Sequence, residues 1–204
     1  MIMLFAVNTI HGQTRTGFDG YYYTGSSAST ALVPRLYFQS AGGWYGEGRY
    51  NYESGQTVSI YAGRTFSRES WSLTPMLGIV AGKFRGGSFG ANATLDIKRV
   101  SLSSDLQYTV SSRSGDGSFF FSWSELGYHL TGHFYAGVVL QQTCFSRSHD
   151  SFDPGLQVSL SAGDWQFPVY VFSPLGNQRN CVVGISREWV YGKSINHKKA
   201  TDTP

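Results

Sequence analysis

The sequence predicts an all-β fold: a closed antiparallel transmembrane β-barrel of about twelve strands, with ten as the alternative count. Three observations point there. Hydrophobicity alternates with period two along most of the chain, which is the side-chain period of a strand. Aromatic residues make up 16% of the 204 residues and charged residues only 14%, well below the roughly 25% charge of soluble domains. Mean hydropathy is nevertheless only −0.21, and no apolar run reaches the ~20 residues of a spanning helix. A barrel with an oily outside and a polar inside averages to that composition.

The chain start, MIMLFAVNTIHGQTRT, has an apolar core from Met1 to Ile10 followed by small or polar residues, and lacks a basic leader. It reads as a truncated signal peptide over 1–13; a short apolar first strand is the alternative. The barrel is expected over 14–191, with a polar tail over 192–204. Strands are expected at 20–27, 31–40, 43–53, 57–66, 70–83, 88–97, 100–111, 118–130, 133–145, 154–162, 165–174 and 181–191. The stretch Val100–Val110 shows the pattern: Val100, Leu102, Leu106, Tyr108 and Val110 share one face, and Ser101, Ser103, Asp105, Gln107 and Thr109 the other. Trp71–Ala81 and Phe89–Ile97 repeat it.

Connections alternate in length. Ala41-Gly42, Ser67–Glu69, Lys98-Arg99, Thr131-Gly132 and Gly163-Asp164 are short. Phe84–Gly87, Ser112–Gly117, Ser146–Asp153 and Leu175–Asn180 are longer. Short periplasmic turns against longer outer loops are the outer-membrane arrangement, so both ends of the chain are expected in the periplasm. At the short-turn ends, Phe38, Trp44, Phe66, Trp71, Phe134, Trp165 and Trp189 form an expected membrane-interface girdle, where amphipathic rings favour headgroup level. Tyr50, Tyr52, Tyr108 and Phe120 are candidates for the second belt. Arg64 falls on the oily parity, and either snorkels to the headgroups or marks a bulge.

The phrases GGWYGEGRYNYESGQT, LTPMLGIVAGKF and SFFFSWSELGY resemble a group of bacterial outer-membrane β-barrel proteins found especially among Bacteroidota. The similarity runs from about Trp44 to Thr143 and more loosely through VYVFSP. It implies a barrel in the outer membrane of a Gram-negative bacterium. The group carries no established activity, so the resemblance supplies no site residues.

If the oily face is outside, the ionisable residues on the polar face line the lumen: Arg35, Glu47, Arg49, Asp105, Glu125, His129 and Glu188. Charge at that depth is costly against lipid and tolerable against water or a partner. Hairpin arithmetic sets Arg35 opposite Arg49 and Tyr37 opposite Glu47. A symmetric Ser112–Gly117 loop would set Asp105 near Glu125. A basic wall would then face an acidic one, as a constriction or a salt-bridged plug. The leading functional reading is a porin-like narrow pore for small polar solutes, or a structural scaffold, with outer-membrane lipid as its surroundings.

Two readings from other classes stand beside it. One is an outer-membrane hydrolase with a loop or lumen site; no catalytic set is assigned, GxSxG is absent, and His149 with Asp150 and Asp153 in SRSHDSFDPG reads first as a polar loop. The other is a soluble β-barrel binding an apolar ligand. Cys144 and Cys181 lack ligand or CxxC spacing and are expected free. No metal, no other cofactor and no nucleic acid are expected: the basic residues form no stripe, and the glycines of FRGGSFGAN lack the strand-to-helix setting of a phosphate loop.

Overall fold

A computed structural model describes residues 13–25, 31–113, 117–146, 150–176 and 179–192. The structure of the expected leader and tail therefore lies outside the described residues, apart from Gln13 and Gly192. The described elements are all strands: β1 Thr14–Gly25, β2 Ala31–Gln39, β3 Trp44–Tyr50, β4 Thr57–Arg64, β5 Phe66–Ser67, β6 Trp71–Gly82, β7 Gly86–Ile97, β8 Val100–Ser111, β9 Phe119–His129, β10 Phe134–Phe145, β11 Ser151–Ala162, β12 Trp165–Phe172 and β13 Asn180–Tyr191.

Apart from β4 and β5, consecutive strands pair antiparallel, and β1 pairs with β13 from Thr14↔Tyr191 to Gly25↔Asn180, which closes the sheet. β4 and β5 face β6 in a single register, Gly63↔Met76 continuing to Phe66↔Leu73. The two are one strand interrupted opposite Pro75, which has no N–H to donate to the ladder. Thirteen assigned strands thus make a barrel of twelve, as the alternation predicts. The first strand starts earlier than expected, at Thr14 rather than near residue 20. Its opening, TRTGFDG, holds one large apolar residue, so no alternation announces it.

The faces are those of a barrel turned to lipid. Leu36, Ile60, Leu77, Ile79, Phe89, Val138, Leu156 and Val158 are exposed on the outside. Asp19, Glu47, Arg49, Ser59, Thr74, Ser88, Gln107, Thr109 and Gln157 are buried inside. Closure leaves no unpaired sheet edge, which is what permits strands to cross hydrocarbon. No described helix is long and apolar enough to cross a membrane. The short turns are tight: Lys98-Arg99 joins Ile97↔Val100, and Gly163-Asp164 joins Ala162↔Trp165, with positive φ at Lys98 and Gly163. A left-handed residue in a two-residue loop matches the twist of the flanking strands.

Inward tyrosines lie flat against glycines on the adjoining strand. Tyr61 covers Gly78, its register partner, and Tyr37 covers Gly17 in the same way. Any Cβ at those glycines would collide with the ring. The slim residues that look like weak strand formers are the seats for interior aromatics.

Candidate functional site

The interior divides into two halves. In the half toward the long loops, side chains fill the space: Thr57, Ser59, Thr109 and Val182 are wholly inaccessible, and Tyr61 and Phe172 nearly so. In the half toward the short turns there is a cavity of about 550 Å³. Its outer rim includes the turn residues Lys98, Arg99, Thr131, Gly132 and His133, so it opens at that mouth. Its deeper lining includes Asp19, Tyr21, Arg35, Asp105, Trp123 and Glu125, all near the middle of their strands, and beyond Arg35 it reaches Tyr23, Val33 and Tyr52 on the long-loop side.

β2 and β8 lie on nearly opposite walls, and Arg35 joins them. Its guanidinium donates to Asp19 on neighbouring β1 at 2.8 Å and to Asp105 on β8 at 3.3 Å. Arg35 does lie opposite Arg49, and Tyr37 opposite Glu47. The two arginines diverge from there. Arg49 bonds Glu47 through Nε at 2.6 Å and Gln107 of β8 at 2.8 Å. Gln107 in turn donates to Thr109 and Glu53. Arg49 also lies over the rings of Tyr52 and Tyr61, at 4.2 and 4.6 Å from their centroids. The two walls are therefore in contact, once through Arg35 at the edge of the cavity and once through Arg49 in the packed half.

The acidic pair differs from the symmetric-loop expectation. Asp105 faces Trp123, and Glu125 faces Ser103. The observed ladder, which ends at Thr109↔Phe119, is offset by one residue from that of a symmetric Ser112–Gly117 loop, so Glu125 is a diagonal neighbour of Asp105 and not its opposite. Glu125 instead accepts from Trp123 Nε1 at 2.6 Å and from the Tyr170 hydroxyl at 2.9 Å. Tyr52 also departs from its expected place on the outer belt. β3 ends at Tyr50, and Asn51 has φ 60°, which breaks the alternation. Tyr52 consequently packs inward against Phe121, with ring centroids 5.5 Å apart. Glu53 follows it in and accepts from Tyr61 at 3.0 Å.

His129 and Glu188 sit toward the short-turn mouth. Glu188 pairs with Arg15 at 3.5 Å and accepts from the Tyr37 hydroxyl at 3.0 Å. The His129 ring lies tilted against Tyr135, with centroids 5.0 Å apart, and 3.3 Å from Ser101 Oγ, while Ser101 itself donates to Asp96. An Asp, Ser and His thus meet inside the barrel, a grouping that sequence spacing concealed because they come from three strands. The order is wrong for an activated nucleophile: the carboxylate takes the serine's single proton, leaving His129 none to accept, and does not orient the imidazole. His149 of the weighed loop site lies outside the described residues, and Asp150 is occupied by the Phe145 amide. Among the described residues no group of three His, Cys, Asp or Glu side chains could hold a metal ion, and both cysteines are free.

On the outside, Phe38, Trp44, Phe66, Trp71 and Phe134 are exposed, and Trp165 and Trp189 half-buried, all at short-turn strand ends. Arg64 is held there between Trp44 and Phe66. Sequence reasoning missed its counterpart, Arg187, which lies 5.0 Å from the rings of both Trp165 and Trp189 and bridges Asp164 at 3.3 Å. The signal was an arginine two residues from a girdle aromatic, as in REW.

No family model matches the sequence, and no curated protein matches it. Among solved structures the chain is similar to the KdgM porin in complex with disordered oligogalacturonate, at 13% identity and TM-score 0.60, covering 84% of this chain and 98% of that one. The NanC porin is similar at 12% identity and TM-score 0.60, with the same coverage. The fold is that of these outer-membrane porins.

Proposed function

We propose that the protein is a narrow passive channel of a bacterial outer membrane that admits small polar solutes. The observation that carries this reading is the cavity of about 550 Å³, lined by aromatic, hydroxyl and charged side chains and open at the short-turn mouth. A barrel serving only as a scaffold has no need of a hollow, and a tight polar core would be more stable than one with a large void. The porin-type fold and the outward apolar belt agree with the location. Kinship with the Bacteroidota-type barrels is part of the same proposal.

In this reading Arg35, Asp19 and Asp105 form the constriction, at the point where opposite walls touch. The packed half beyond it, with Arg49, Glu47 and Gln107, sets how little passes. Charge at a constriction selects solutes by sign and size. The oligogalacturonate of the KdgM complex is a chain of acidic sugars. That ligand does not carry over, because the inner end of this cavity holds Asp19, Asp105 and Glu125 against Arg35 alone.

Planar-bilayer recording tests the proposal. The intact barrel should give small discrete conductance steps, and Arg35→Ala should enlarge them by cutting the cross-barrel bridge. A silent barrel that stays silent in Arg35→Ala would sink the channel reading and leave the scaffold.

A further inference from the structure

The inner end of the cavity has a chemistry of its own. Tyr21, Trp123 and Tyr170 surround it from β1, β9 and β12, with Trp123 and Tyr170 edge to face at 5.0 Å and Tyr21 at 6.5 and 6.3 Å from them. Glu125 stands among these rings and lines the cavity. Its bonds come from the neutral donors Trp123, Tyr170 and the Gln157 amide, and no described cation pairs with it. Gln157 faces Tyr170 across the β11–β12 ladder and lines the same cavity. It is only 5% exposed, yet its Oε1 has no hydrogen-bond partner. A buried amide oxygen left open is costly and asks for a donor.

These groups share one character. Aromatic faces carry partial negative charge, a carboxylate accepts, and a free amide oxygen accepts. Nearby, Asp19 and Asp105 share a single guanidinium, Arg35. The surroundings are therefore net negative as well. A site made of rings and acceptors fits a compact cation bearing carbon, whose charge meets the carboxylate and whose methyl or methylene groups meet the rings. A strongly hydrated metal ion would gain little from the rings, and a sugar acid would be repelled.

We propose that the inner end of the cavity binds small organic ammonium solutes, between Tyr21, Trp123 and Tyr170 and against Glu125. The inference deepens the channel reading, on which it rests for its physiological sense, by naming the class of solute. The binding itself can be tested without any conductance.

Of the five tryptophans, Trp44, Trp71, Trp165 and Trp189 are on the outer girdle, and Trp123 alone faces inward. Intrinsic fluorescence of the refolded full chain in detergent therefore reports the site. Choline chloride, titrated against sodium chloride at constant ionic strength, should give a saturable change that disappears in Trp123→Phe. Glu125→Gln should weaken it about tenfold or more, by removing the charge-assisted partner. Tyr170→Phe should retain most of it, and Tyr170→Leu should not. Sodium galacturonate should give no saturable change. Absence of a saturable choline response in the folded, unaltered barrel would overturn the proposal, as would an equal response in folded Glu125→Gln or a stronger response to galacturonate. A saturable response from a barrel silent in bilayers would refute the channel and leave the binding site standing. Conductance without choline binding would do the reverse.

Discussion

The two arginines that face each other across the β2–β3 ladder have opposite fates. The Arg49 side chain is 1% exposed and bonded to a wholly buried Glu47. The Arg35 side chain is 18% exposed and borders the cavity. One belongs to the packed half of the barrel, the other to the hollow half. Both hold a β2 or β3 position to β8, but in one case the bridge is part of a core and in the other it is an obstruction in a passage. The same residue type, at opposed positions, is structural or functional according to whether water reaches it.

That difference yields the largest expected effect. Arg49→Ala leaves Glu47 as a buried charge with only the Tyr45 hydroxyl, 2.7 Å away, to answer it. Removing one member of such a pair costs about 3–5 kcal/mol, which urea titration of the barrel in lipid vesicles would read. Arg49→Met combined with Glu47→Leu should recover most of the loss, since two apolar side chains replace a pair that was expensive to bury.

The next effect tests the packing of aromatic on glycine. Gly78→Val sets a branched side chain where the Tyr61 ring lies, and Tyr61 is a wall of the packed half. Overpacking of this kind costs about 1–3 kcal/mol, read by the same titration. Gly87, with open space around a Cβ, should accept alanine with little change. If both glycines behave alike, the rings are not what the interior glycines are for.

Arg35→Ala is expected to cost less, about 1–2 kcal/mol, because its two carboxylate partners are left beside the cavity and can be rehydrated. Its signature should be functional instead, in the larger conductance steps. Equal loss of stability in Arg35→Ala and Arg49→Ala would erase the distinction between the halves.

The contrast also marks what the sequence could and could not reveal. Alternation from Val100 to Val110 gave faces and strand count, because side-chain direction in a strand depends only on parity. Tight turns gave the Arg35–Arg49 register, because a short hairpin fixes pairing locally. Tyr52 was misplaced because one left-handed residue, Asn51, resets parity without changing composition. The offset of Asp105 from Glu125 came from a one-residue difference in the β8–β9 register, which loop length alone does not set. The Arg35–Asp105 contact and the cavity below it were out of reach for a deeper reason. Both are facts about barrel diameter and side-chain length across an empty space, and sequence separation carries neither.

The smallest effect lies outside the barrel. Arg64 and Arg187 face outward, but each is flanked by two aromatic rings at the short-turn end. A cation over an aromatic face contributes about 0.5–1 kcal/mol at an exposed site, and its charge can meet headgroups from there. Arg187→Ala should therefore cost no more than about 1 kcal/mol, with no change in choline response or conductance. The loss should be larger in vesicles containing anionic phospholipid than in neutral ones. Equal losses in the two would mean that the aromatic contacts and Asp164 account for the whole effect. A loss comparable to that of Arg49→Ala would place Arg187 in the barrel's structural core, despite its outward parity, and the division between packed and hollow halves would have to be extended to the outer wall.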